Sequence, residues 1–233
     1  MNAADETGSS GIIAALEFEA RSARALTQHG WRLWVSGMGA VKARRAADGM
    51  FAAGVRRILV WGTAGGLDPH LATGTLFLPD VILDARSGVE HAVSPAFHAE
   101  LVRTLGAPGV PAITRGRLLT TQRALYTPQE KTTAGTATGA LMVDMETAAI
   151  ADAAASAGAE FAALRVLLDA AGATLPPVVV ASVDSLHPHL SVLVGLMKRP
   201  QDLPAVMRLG QAFRRAHASL VTAANALASE VGH

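Results

Sequence analysis

The stretch "RILVWGTAGGLDP", Arg57 to Pro69, carries an apolar run straight into two adjacent glycines. Ile58 to Trp61 show no apolar and polar alternation, the pattern of a strand covered on both faces rather than one lying on a wet surface. Gly65 and Gly66 then allow the backbone to approach another group at the strand's carboxyl end, where open α/β sheets bind their ligands. A plain turn needs one glycine. The second glycine, with the Thr63 hydroxyl, marks this end as a candidate binding edge.

Similar runs recur outward from it: "GIIAAL", "RLWVSG", "TLFLPDVILD", "RGRLLTT", "LMVDME" and "FAALRVLLD". Alanine-rich amphipathic segments such as "AVKARRAADGMFAAG" and "TAAIADAAASAG" separate them. This alternation predicts an α/β fold in three layers, a mixed, mostly parallel sheet flanked by helices. After Pro176 and Pro177 the pattern turns helical, through "HLSVLVGLMKR", a break at Pro200, and a long stretch from Leu203 to Ser229. Within that tail Val206, Leu209, Phe213, Ala216 and Leu220 form one stripe, with Arg208, Arg214 and Arg215 off it. The stripe suits packing on the sheet or docking on a bilayer surface. We expect a disordered N-terminus over 1–10 and a single domain over 11–233, with a helical tail over 183–230.

Composition narrows the function classes. The 233 residues, 50% apolar, suffice for a sizeable core. With 20 Lys and Arg against 19 Asp and Glu, a net charge of +1 gives no reason to seek nucleic acid. Cysteine is absent, so disulfides and thiolate zinc sites are excluded. The opening "MNAADETGSS" lacks signal-peptide order. "SVLVGLM" stops at Lys198, short of the roughly 18 to 20 apolar residues of a membrane span. The expected location is the cytoplasm, the tail stripe leaving open a peripheral contact with the inner membrane.

The chemistry-bearing candidates lie at strand ends. "SGMGAVKA" follows a strand and opens a helix, so the amides of Gly37 and Gly39, with Lys42, Arg44 and Arg45 nearby, suit a tight turn or an anion such as phosphate. Lys42 stands at the third glycine position of a dinucleotide fingerprint, which argues against a nicotinamide cofactor. Asp144 and Glu146, read as the end of a strand with side chains on one face, suit a helix cap and an acceptor of two hydroxyl protons from a vicinal diol such as ribose. Asp169 ends an apolar strand, where desolvation raises a carboxyl pKa and makes a proton donor near neutrality. Glu19 follows the first strand, as a site residue or the exposed start of a helix. His187 and His189 have no carboxylate at ligand spacing, so no metal is expected.

In order and interval, Glu19, "GTAGGL", "VDMETAAIA" and "LRVLLDAAG" resemble the nucleoside phosphorylase and nucleosidase superfamily. "DAAGATLPP" and "LMKRPQDLPAVMRLGQAFRRA" are most similar to its hopanoid-associated phosphorylases. The resemblance implies that Asp169 protonates the departing purine and that Glu19 activates water. It implies that Met145 packs on the ribose while Glu146 binds the 2′ and 3′ hydroxyls. Thr63, Ala64 and Gly65 then lie near the sugar, and Leu125 lies where a main-chain group reads adenine. The implied activity is cleavage of the N-ribosyl bond of an adenosine derivative with an apolar 5′ group, adenosylhopane in hopanoid biosynthesis, releasing adenine without a cofactor. Phosphorolysis is slightly favoured over hydrolysis, with inorganic phosphate as co-substrate at Gly37, Gly39 and Arg44. A homo-oligomer is implied. A methylthioadenosine or S-adenosylhomocysteine nucleosidase and a noncatalytic nucleoside-binding protein are the alternatives. Two departures matter: Leu168 stands where many relatives have serine, and the "ILVWGTAGG" strand lacks the arginine of bacterial phosphate sites.

Overall fold

The computed structural model describes residues 9–174 and 203–231. Strands β1 (Ser9–Ala14), β2 (Arg32–Val35), β3 (Val55–Gly66), β4 (Leu76–Asp84), β5 (Glu90–Ala92), β6 (Ile113–Thr120), β7 (Met142–Asp144) and β8 (Glu160–Asp169) join in one sheet. Between them run α1 (Glu17–Ser22), α2 (Arg24–Gln28), α3 (Ala40–Ala52), α4 (Pro95–Leu105), α5 (Pro128–Thr138) and α6 (Thr147–Ala157), and α7 (Leu203–Val231) ends the chain. The segment "HLSVLVGLMKR", the histidines 187 and 189, and the tail from 183 to 202 lie outside the described residues. β1 begins at Ser9, inside the stretch expected to be disordered.

The sheet is mixed, as expected. β1–β2, β1–β3, β3–β8, β4–β6 and β6–β7 are parallel, whereas β3–β7, β4–β5 and β4–β8 are antiparallel. β3 is the hub. One of its edges pairs with β8 from Arg57 to Gly65. The other pairs with β1 up to Trp61 and then, at Gly65 and Gly66, with β7. Because β8 also reaches β4, and β4 leads through β6 to β7, the path β3–β8–β4–β6–β7 closes on β3. The carboxyl end of β3 is thereby flanked by β7 and β8 together.

Helices cover both sides. Met50 and Phe51 of α3 and Ile150 of α6 join one core with Ile58, Val60 and Phe77. Leu26, Phe97 and α7 join the other with Leu59, Trp61 and Leu164. Trp61 is fully buried and donates its indole N–H to Ser22 Oγ at 2.8 Å, which satisfies the one polar atom of a large apolar side chain. On α7, Ala216, Leu220, Ala223, Ala224, Leu227 and Ala228 are buried in this core. Phe213 meets Phe18 edge to face, ring centroids 5.0 Å apart. Lifting this helix to meet a bilayer would expose Leu220 and Leu227, each worth roughly 1.5–3 kcal/mol when buried. Ala216 and Leu220 of the tail stripe are therefore core. Among the described residues, no helix is long and apolar enough to cross a membrane.

Candidate active site

Glu19 stands in the first turn of α1, just past β1, and is 2% exposed. Its Oε2 accepts the amides of Ala15 at 3.1 Å and Leu16 at 3.0 Å. Its Oε1 accepts the amide of Thr63 at 2.8 Å and the Thr63 hydroxyl at 2.7 Å. Gly62 makes this reach feasible: its φ is +154°, and a Cβ there would stand 2.6 Å from the Glu19 carboxyl carbon. Burial pushes the Glu19 pKa up, opposed by the Arg165 charge and by these hydrogen bonds. The reading of Glu19 as an exposed helix start is thus overturned, and Thr63 faces Glu19 rather than standing free.

Glu146 does not continue a strand. β7 stops at Asp144, and Glu146, with φ −127° and ψ −36°, is the residue that precedes α6. Asp144 turns into the interior. Its Oδ1 accepts from Thr120 Oγ1 at 2.7 Å, and its Oδ2 accepts the Thr147 amide at 3.2 Å, capping α6. It also pairs with the Thr147 hydroxyl and the Arg165 guanidinium. Glu146 instead accepts the Gly39 amide at 2.7 Å through Oε1, with Arg165 Nη2 4.0 Å from Oε2. Burial first, then the Asp144 charge, raises its pKa to about 7.

Arg165 binds this cluster together. It sits in the middle of β8, is 1% exposed, and its pKa stays raised because Asp144, Glu146 and Glu19 outweigh the desolvation that opposes its charge. The sequence did signal it: a guanidinium inside "FAALRVLLD" demands a buried counter-charge. Sequence reasoning passed over it.

Asp169 ends β8 opposite Gly65 of β3. Its Oδ2 accepts from Lys131 Nζ at 2.5 Å, and Oδ1 lies 3.4 Å from the point a Gly65 Cβ would occupy. Burial pushes its pKa up, and the Lys131 charge opposes this. Lys131, on α5, is fully buried and was not anticipated, since nothing in "TPQEKTTAGTATG" distinguishes it. α5 opens with Pro128 after a Thr127 and Glu130 capping box, and Glu130 also accepts the Tyr126 amide at 2.9 Å. Arg123 first, then those amides, hold the Glu130 carboxyl at about 2. Leu125 stands in the loop so fixed and packs against Leu67, Leu119 and Val143.

The geometry thus brings Glu19, Thr63, Ala64, Gly65, Glu146 and Asp169 around the end of β3, with Met145 joined to Glu146 by its backbone amide at 3.3 Å. It does not assemble the expected phosphate cradle. The Gly39 amide is committed to Glu146, Gly37 has the Lys42 side chain against it, and Arg44 is held by Asp48 and Asp152. Arg44 faces a separate cavity of about 590 Å³ lined also by Arg45, Arg86 and His91, which none of Glu19, Glu146 and Asp169 lines.

Buried carboxyls with raised pKa values, gathered where a strand ends against flanking loops, are the equipment of an acid–base enzyme. The chain belongs to the Phosphorylase superfamily, whose family model matches residues 18–189. No curated protein matches it in sequence. Among solved structures it is similar to a 5′-methylthioadenosine/S-adenosylhomocysteine nucleosidase from Helicobacter pylori, at TM-score 0.71 and 17% identity over 98% of this chain and 99% of that one. A Neisseria meningitidis nucleosidase of the same name, solved with methylthio-immucillin-A, gives TM-score 0.70 and 16% identity over 95% and 99%. Futalosine hydrolase of Helicobacter pylori gives 0.70 and 17% over 97% and 98%. At such identities the likeness establishes the shared fold.

Proposed function

We propose that the protein hydrolyses the N-ribosyl bond of a 5′-substituted adenosine and releases adenine. Glu146 accepts the ribose hydroxyls, Asp169 protonates the departing base, and Glu19 takes a proton from the attacking water on the other face of the sugar. The observation that carries the choice of water is the occupancy of the buried cations beside these carboxyls: among the described residues Arg165 is spent on Asp144 and Lys131 on Asp169. Phosphate brings nearly two negative charges into a site already holding three carboxyls, and such a charge needs its own countercharge. This reverses the sequence-based preference for phosphorolysis.

Both Glu19 oxygens already accept two donors, which fills a carboxylate's acceptor capacity. A water must therefore displace one of them, and the Thr63 hydroxyl is the donor that can rotate away without moving backbone. The likeness of the fold to the methylthioadenosine nucleosidases favours a small 5′ thioether. The resemblance of "DAAGATLPP" and the tail to the hopanoid-associated subgroup favours a bulky apolar one, adenosylhopane. Incubation with adenosine, methylthioadenosine and a long-chain 5′-alkyl adenosine, each with and without phosphate, decides both questions. We expect adenine and free ribose at a phosphate-independent rate. An anomeric sugar phosphate would overturn the assignment of water, and binding without turnover would overturn catalysis.

Glu146 must be ionised to accept hydroxyl protons, and its pKa of about 7 places that requirement in the working range. We therefore expect kcat/KM to fall below about pH 7, by about tenfold per unit, in wild type. Glu146→Gln should lower kcat/KM by about ten- to a hundredfold, the worth of a charge-assisted hydrogen bond, and flatten this limb. A folded-state pKa above the unfolded 4.5 also makes this carboxyl a source of stability at low pH that is lost as pH rises through about 7. The Gln variant should lack that dependence. An unchanged acidic limb in Glu146→Gln would place the titration elsewhere.

A further inference from the structure

We propose that Lys131 is the positioning residue of the acid, anchoring one oxygen of Asp169 so that the proton it gives the leaving base sits on the other, which faces the end of β3. The proposal rests on the assignment of Asp169 as proton donor. It adds a residue that sequence reasoning left in an unremarkable polar stretch.

Lys131 is 0% exposed, and an ammonium taken out of water to that degree needs each of its donors matched by an acceptor. It has three donors and three acceptors: Asp169 Oδ2 at 2.5 Å, Ala170 O at 3.0 Å and Ala173 O at 3.1 Å. No donor remains for a ligand, so Lys131 acts through Asp169 and through the backbone that follows it. Leu168, the neighbour of Asp169, offers no hydroxyl to do the same work.

The contact selects an oxygen. A cation donating to Oδ2 keeps the acidic proton off that atom and leaves it to Oδ1. Oδ1 lies over Gly65, at the strand end where Thr63 and Glu19 also converge, and Gly65 offers it room with no side chain. Among the described residues, Lys131 on α5 is the charged group acting on Asp169, and Gly65 on β3 brings none. On α5, the residue before Lys131 is Glu130, which holds the amides of Tyr126 and Thr127. Adjacent residues of one helix thus tether the loop that carries Leu125 and the segment that carries the acid. When the sugar–base bond breaks, its electron pair goes to the base, the Oδ1 proton neutralises that base, and the Asp169 carboxylate left behind faces the ammonium already in place.

The test compares leaving groups. Release of adenine needs a proton, whereas release of 4-nitrophenolate from 4-nitrophenyl β-ribofuranoside does not. Lys131→Met should lose at least about tenfold more in kcat on adenosine than on the nitrophenyl riboside, with KM changed little. Asp169→Asn calibrates the assay by showing the same selectivity. Removing the ammonium also removes the influence that opposes burial at Asp169, so the alkaline limb of the adenosine profile should move to higher pH. Should the Met variant fail to fold, Lys131→Gln, which keeps an amide donor, carries the same comparison. Equal losses on both ribosides, or an alkaline limb that stays in place, overturn the proposal. A wild type that releases no base, or an Asp169→Asn variant without selectivity, instead overturns the reading of the site on which it rests.

Discussion

Asp169→Asn should slow release of adenine by about a hundredfold or more while leaving the protein folded. The substitution keeps the shape at the end of β8, and its carbonyl oxygen can still accept from Lys131, so the ammonium retains three acceptors. What it removes is the proton. A purine leaving with the electron pair of the broken bond is a strong base, and the amide has no acidic proton to give it. The raised pKa of Asp169, driven by burial against the opposing Lys131 charge, is the property the amide lacks. Steady-state turnover together with a denaturant unfolding curve checks both halves. Activity within a few fold of wild type would take Asp169 out of the mechanism, and a collapsed unfolding midpoint would make it a structural residue.

The sequence made this residue visible for a local reason: a lone acid after an unbroken apolar run has few roles other than chemistry or a cap. Glu146 was visible for a partly mistaken one. Two carboxylates two residues apart share a face only while the chain stays extended, and the backbone leaves the strand at Asp144, so one side chain caps α6 and the other turns to Gly39. The engagement of the Gly39 amide was hidden for the same reason. The Gly39 amide looks free in "SGMGAVKA" because its acceptor is 107 residues away. Lys131 and Asp169 are 38 residues apart, and nothing local to either announces the other. The strands other than β5 were legible from the repeated apolar runs, but their order and the closure of the sheet were not, since β7 meets β3 through only Gly65 and Gly66. Contacts of that size leave no periodic trace.

Arg165→Met should cost about 3–5 kcal/mol of folding stability near neutral pH, because it leaves buried carboxylates without their shared countercharge. The thioether side chain roughly fills the space, so the loss is electrostatic rather than a cavity. In wild type the guanidinium pairs with Asp144, donates to the Thr147 hydroxyl at 2.8 Å, and lies 4.0 Å from Glu146. It opposes the burial that raises both Glu146 and Glu19. Without it those two carboxyls move further up. The sign follows: a carboxyl whose folded pKa lies above its unfolded value favours folding where it is protonated and disfavours it where it must ionise. The variant should therefore lose least near pH 5 and most near pH 8, the same direction as the loss of an ordinary surface ion pair but over a window moved toward neutral pH, because these carboxyls titrate above the usual carboxylate range. Urea unfolding of wild type and variant at the two pH values measures the difference directly. A loss below about 1 kcal/mol at both would mean that the carboxyls are already neutral in the folded protein. In that case Glu19 could not serve as a base in the resting site, and the nucleophilic half of the mechanism would fall with it.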